Sequence, residues 1–91
     1  MPLIYGDPTI GKLIFTDNAV NQMHKYGLYR FQVVEALKRG FSVNPLIPGT
    51  LQRQHRPRAK FDVTVAFKTI NNDGDTLGGV QIVSCWKRRI R

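Results

Sequence analysis

From Arg58 to Lys68 the chain alternates without interruption. Ala59, Phe61, Val63, Val65 and Phe67 are apolar, and Arg58, Lys60, Asp62, Thr64, Ala66 and Lys68 lie between them. A period of two places successive side chains on opposite faces of a strand, one against a core and one toward water. Such a chain has to build a sheet with one covered side and one cationic side. With 91 residues and 42% apolar content, it suffices for one compact domain that buries roughly 60 to 65% of its unfolded surface. We read 1–91 as a single domain, with an N-terminal arm over 1–11, a core over 12–86 and a basic tail over 87–91.

The remaining elements follow from caps and breakers. Pro2, Gly6, Pro8 and Gly11 mark the arm, which holds at most one short extended piece. Lys12 to Phe15 is a short strand-like run, and Thr16 or Asp17 is a natural N-cap for a helix over about 17–26 whose apolar residues are Ala19, Val20, Met23 and Tyr26. Gly27 breaks that helix. A second helix over about 29–39 is expected to bury Phe31, Val33, Val34, Ala36 and Leu37, and Gly40 ends it. Phe41-Ser42-Val43 reads as an edge piece and Leu51–His55 as a strand interrupted by Pro57. The turn cluster from Asn71 to Asp75 joins the alternating strand to a last one over Gly79–Trp86. There Val80, Ile82 and Ser84 are expected on one side, and Gln81, Val83 and Cys85 on the other. The expected fold is α+β, with two N-terminal helices packed on a three- to four-stranded antiparallel sheet.

The helical segment carries a resemblance. Phe15-Thr16-Asp17-Asn18-Ala19, Met23, Gly27-Leu28 and Val33-Val34-Glu35-Ala36-Leu37 resemble a family of small toxin-like proteins whose pattern reads F-[ST]-x-H-A-x-x-R-M-x-x-R-G-I and then V…E-A-L. That family is related to BrnT and, more distantly, to the RelE/ParE-type toxins. The resemblance spans about residues 13–86 and implies a RelE/ParE-like fold, an endoribonuclease activity that needs no metal, and an acidic antitoxin as partner. The family's His falls at Asn18, and its two helical Arg positions fall at Gln22 and Tyr26. The chain either relocates those charges, to His24 and the strand cations, or keeps the fold as an inactive descendant.

Charge points the same way. The net charge is +8 and the pI about 10.3. Residues 46–91 hold nine Lys/Arg against three acids, and residues 1–45 hold five against three. Clustered cations suit a polyanion, nucleic acid first, with RNA favoured over DNA. Arg53, Arg56, Arg58 and Lys60 crowd eight residues with His55, and Lys87, Arg88 and Arg89 extend the footprint. Arg forks pair with phosphates bidentately, and neutralised phosphates release counterions. Trp86 and Tyr29 are candidate stacking platforms. An imidazole titrates near neutrality, so His55, with His24 as its alternative, is the candidate acid or base for cleavage. Glu35 is read as an ion pair with Arg39 one turn on. The plainer reading of each cation is solvated surface charge, and of each histidine a structural place. Two further function readings stand beside the ribonuclease: a non-enzymatic nucleic-acid-binding module, and an interaction protein that docks an acidic partner.

Several classes drop out. The Gly6-to-Lys12 run spells GxxxxGK, but Leu13 stands where a phosphate loop needs Ser or Thr for magnesium. Asp73-Gly74-Asp75 lacks the distal Glu of a calcium loop and reads as a turn. Cys85, the single cysteine, precludes an internal disulfide or a Cys-rich metal site. No metal and no cofactor are expected. Without an apolar run near the roughly 18 residues of a span, or an apolar leader at the start, a cytoplasmic location with no membrane contact is expected.

Overall fold

The computed structural model describes residues 3–7, 10–58, 61–70 and 79–89, with residues 7, 57 and 58 described by their backbone alone. The elements run β1 (Leu3–Asp7), β2 (Gly11–Phe15), α1 (Asp17–Tyr26), α2 (Arg30–Arg39), β3 (Phe41–Val43), β4 (Leu51–Arg58), β5 (Phe61–Ile70) and β6 (Gly79–Arg89). All the strands join one sheet in the order β1-β2-β6-β5-β4-β3. β2 and β6 are parallel, and the other neighbours are antiparallel.

This corrects the expected RelE/ParE-like layout of two N-terminal helices on a three- to four-stranded antiparallel sheet. A β1–β2 hairpin precedes the helices, and its parallel pairing with β6 makes a six-stranded mixed sheet. Leu3–Asp7, expected within an arm, lies against Gly11–Phe15. Two five-residue strands interrupted by Gly6 and begun by Gly11 carry too little alternation to stand out as a pattern. The two ends of the GxxxxGK run are strand residues, with Gly6 of β1 opposite Lys12 of β2. At the other end β6 continues through Lys87, Arg88 and Arg89.

The helices form where capping predicts them. Thr16 Oγ1 accepts the Ala19 N–H at 3.1 Å, which satisfies one of the free donors of the first turn of α1. Gly27, at φ 65°, closes that helix. Its N–H donates to His24 O and the Leu28 N–H to Met23 O, a Schellman closure that needs a left-handed residue and buries Leu28 after it. Gln32 Oε1 accepts the Tyr29 N–H at 2.8 Å and fixes the start of α2.

Both helices lie on one side of the sheet. Ala19 of α1 and Val33, Ala36 and Leu37 of α2 share a buried cluster with Leu13, Phe15, Val63, Val65, Phe67, Val80, Ile82 and Cys85. Phe31 is not in it and is 64% exposed. At 100° per residue it stands about 160° around the helix from Val33, on the face of Val34, Glu35 and Lys38 instead. β6 also differs from simple alternation. Ala66 pairs with Ser84 but Phe67 with Ile82, so Val83 is an extra residue on β6 and forms a β-bulge. Val80, Ile82 and Cys85 therefore all face the helices, and Ser84 does not.

Gly40 joins α2 to β3 where the backbones nearly touch. A Cβ there would run into the carbonyl of Ala36 and approach the Gln54 carbonyl to 2.9 Å, whereas one at Gly6 would meet nothing within 4 Å. Gly40→Ala is expected to destabilise the protein by roughly 2 kcal/mol and Gly6→Ala by under about 0.5 kcal/mol, as measured by urea unfolding.

Candidate nucleic-acid interface

Alternation decides which side chains the helices leave uncovered. Opposite the core, β4 places Gln52, Gln54 and Arg56, β5 places Asp62, Thr64, Ala66 and Lys68, and β6 places Gln81, Ser84, Trp86 and Arg88. Lys12 and Ile14 of β2 extend this side. Among the described residues no helix lies over it. The 44–50 loop reaches its end, where the Leu46 N–H donates to Gln52 Oε1 at 3.1 Å.

Register organises this open face into rows. Phe41 pairs with Gln54, Gln54 with Thr64, and Thr64 with Trp86. An aromatic therefore stands at each end of a polar row, three strand spacings or about 14 Å apart. Phe41 is 58% exposed and Trp86 half-buried. In the next row Asp62 pairs with Arg88, and Arg56 Nε donates to Asp62 Oδ1 at 2.9 Å. Arg56, Arg88, Lys68 and Lys12 are all exposed. Asp62, Thr64, Ala66 and Ser84 are buried, small groups in a trough between longer neighbours.

The hydrogen bond from Arg56 holds the Asp62 carboxyl below its ordinary range, against the opposing effect of burial, with Gln54 and Arg88 adding to the same direction. The same bond raises Arg56 further above its already high value. Asp62 thus fixes one guanidinium over the face and offsets one of its positive charges.

The cations expected to gather around His55 divide between the two faces. Arg53 and His55 do share one face of β4, but it is the helix side. Arg53 Nη1 donates to Leu37 O at 2.6 Å, occupying a carbonyl of the last turn of α2, where a cation also complements the helix dipole. His55 lies beneath the same helix, its side chain 16% exposed and its Nε2 3.9 Å from Glu35 Oε1. That nitrogen is buried with no hydrogen-bond partner among the described residues. Arg56 emerges on the opposite face. Arg58 is described only by its backbone, which pairs with Phe61 after a register shift, and Lys60 lies outside the described residues, as do Asn71 to Asp75 and Arg91. Of the tail cations, Arg88 joins the open face, Arg89 is exposed at the strand end, and Lys87 lies over the Phe61 ring at 5.1 Å.

His24 is exposed on α1. The groove it lines with Met23, Leu28 and Tyr29 contains Arg30 but none of the β4 or β6 cations. Glu35 pairs with Arg39 at 3.5 Å, as their spacing predicts. Asn18, at the position of the family's His, donates from Nδ2 to Val83 O at 3.1 Å. Among the described residues there is no group of three or more His, Cys, Asp or Glu side chains suited to hold a metal. Burial pushes the Cys85 thiol up to about 12, so it stays protonated and inert. No described helix is long and apolar enough to cross a membrane.

Sequence reasoning missed Asp62 as a partner for Arg56 and Phe41 as a member of this face. The six-residue separation of Arg56 and Asp62 carries no helical or strand signature, because a β-bulge lies between them. Comparison with protein-family models, curated proteins and solved structures finds no significant match to this chain.

Because the Asp62 carboxyl titrates lower in the folded protein than in the unfolded chain, where the usual value is about 3.9, its stabilisation is fully present above that value. It is lost as pH falls through the lower folded value. Asp62→Asn is expected to cost about 1 kcal/mol at pH 7 through the lost hydrogen bonds at a buried position. The stability difference between this variant and the unmodified protein should shrink below pH 4 in acid-titrated urea unfolding.

Proposed function

We propose that the protein is a nucleic-acid-binding module that holds a single strand across the open face of its sheet, with RNA the first ligand to test. The observation that carries this reading is the Phe41-Gln54-Thr64-Trp86 row flanked by Arg56 and Arg88. Aromatic rings accept bases by stacking irrespective of sequence, and neighbouring guanidiniums take the phosphates. A trough with an aromatic at each end of one row suits unpaired bases better than a duplex, whose bases are already stacked. Gln54, half-buried between the two rings, offers its amide to base edges.

Binding is favoured over cleavage by the places of the two histidines. A general acid or base has to come within about 3 Å of the proton it moves, directly or through a water. The buried Nε2 of His55 faces Glu35 on the helix side, and His24 lines a groove without the sheet cations. Neither shares a surface with Arg56, Arg88 and Trp86.

Fluorescence anisotropy with a labelled single-stranded RNA, its DNA equivalent and a duplex, over a range of salt, tests the reading. Affinity for the single strand should fall linearly in log–log form with salt, by about 0.7 per phosphate engaged. Binding should quench Trp86 fluorescence, and Trp86→Ala should weaken it about tenfold. Arg88→Ala should weaken it and flatten the salt slope by about one contact. His55→Ala should retain binding if it folds, and RNA should stay intact in EDTA. Salt-insensitive binding, or affinity unchanged in both Trp86→Ala and Arg88→Ala, overturns the proposal, and RNA cleavage abolished by a histidine substitution restores the ribonuclease.

A further inference from the structure

On the helix side, away from the open face, a groove of about 470 Å³ lies between the β1–β2 hairpin and α2, with Tyr5, Leu13, Arg30, Phe31, Glu35 and Lys38 in its walls. We propose that it is a second site, one that takes a small aromatic anion of the nucleoside monophosphate class. The volume falls within the range of roughly 300–1,000 Å³ typical of small-molecule sites. Its lining divides into parts that match the two ends of such a ligand.

The aromatic end is Phe31. Its ring is 64% exposed and stacked at 5.9 Å and 9° on Tyr29, which is itself 68% exposed. A large apolar ring held in a fixed plane at the mouth of a groove is a ready platform for a base. The anionic end is Arg30, whose guanidinium lies 3.9 Å over the Tyr5 ring. A guanidinium stacked this way directs its N–H groups outward in its own plane, where a phosphate oxygen can receive two of them. Tyr5 is in turn packed edge-on against Phe15 of the core, at 5.8 Å, so the Arg30 support is rigid.

Charge selects the ligand further. Among the described lining residues the carboxylate is Glu35, already engaged by Arg39 at 3.5 Å, and the Arg30 guanidinium on Tyr5 is the cation presented to a ligand. A wholly apolar ligand would leave the Arg30 guanidinium unused, and inorganic phosphate alone would leave Phe31 unused. A ring joined to a phosphate satisfies both. Because Phe31 and Arg30 belong to α2 and Trp86 to the opposite face of the sheet, this site stands or falls separately from the interface proposed above.

Titration of the ¹⁵N-labelled protein with adenosine 5′-monophosphate, followed by two-dimensional NMR, tests the inference. Amide shifts should be saturable and centred on Tyr5, Arg30, Phe31 and Glu35. Adenosine and inorganic phosphate should each bind at least about tenfold more weakly. Phe31→Ala and Arg30→Ala should each weaken the nucleotide about tenfold, and Trp86→Ala should leave it unchanged. Phe31 and Arg30 are exposed, so the variants are expected to keep the fold, which their own spectra report. Absence of saturable shifts at millimolar nucleotide, shifts confined to the open face, or affinity unchanged in both α2 variants overturns the inference.

Discussion

The arrangement of this protein depends on one irregularity, the bulge at Val83, and on the side chains that hold it. Thr16 Oγ1 lies 3.0 Å from the carbonyls of both Ile82 and Val83, and Asn18 Nδ2 donates to the Val83 carbonyl. Thr16 also donates its backbone N–H to Ile82 O and caps α1 with the same hydroxyl oxygen. The start of α1 is thereby fastened to the point where β6 changes phase. Up to Ile82 the even-numbered residues of β6 face the helices, and beyond the bulge the odd-numbered ones do. Without that step Trp86 and Arg88 would be driven under the helices, and Cys85 and Lys87 would face solvent. The bulge thus completes the core with Cys85 and sends an aromatic and a cation to the opposite face.

The two faces use the same residue types for different ends. Arg53 and His55 sit under α2, where Arg53 satisfies a helix carbonyl and His55 approaches Glu35. One residue beyond His55, alternation brings Arg56 out on the other face, against Asp62. A run of cations in sequence is therefore not a patch in space. Within the Arg53–Lys60 segment Arg53 holds a helix end, and among the described side chains Arg56 is the cation that reaches the open face. Arg88 and Lys68, remote in sequence, take the place of Arg53 on the open face because register with β5 brings them there.

How far the sequence discloses this depends on the range of each signal. The α1 boundaries, its Thr16 cap and Gly27 closure, the Glu35–Arg39 pair and the β5 alternation all come from contacts within a few residues, and these are legible. The β1–β2 hairpin is not, because its strands are short and its parallel partner β6 lies far along the chain. The Val83 bulge is likewise invisible locally, since it is created by Thr16 and Asn18 from a distant segment. Phe31 illustrates a third limit. Apolar identity suggested burial, whereas its angular position on α2, read beside Val33, Ala36 and Leu37, puts it on another face. For the interface the aromatic Trp86 and the cations Arg56 and Arg88 could be nominated from sequence. Their being neighbours, and Phe41 joining them, required the register.

Asp62 gives the open face its character. It is a buried carboxylate on a surface otherwise bearing cations, and its hydrogen bond to Arg56 orients that guanidinium before any ligand arrives. Orienting one long side chain in advance reduces the rotamer entropy that binding has to remove, which runs to about 0.5–1.5 kcal/mol for such a group. In the proposed complex the same carboxylate would repel a phosphate brought directly above it, so the backbone of a bound strand would be steered to either side, over Arg88 and toward Lys68, with its bases turned toward Trp86 and Phe41. A face built only of cations would attract any polyanion without preference for its form. On the reading proposed above, the acid in the trough, with rings at both ends of the adjacent row, would favour a strand whose bases are free to leave the backbone's side.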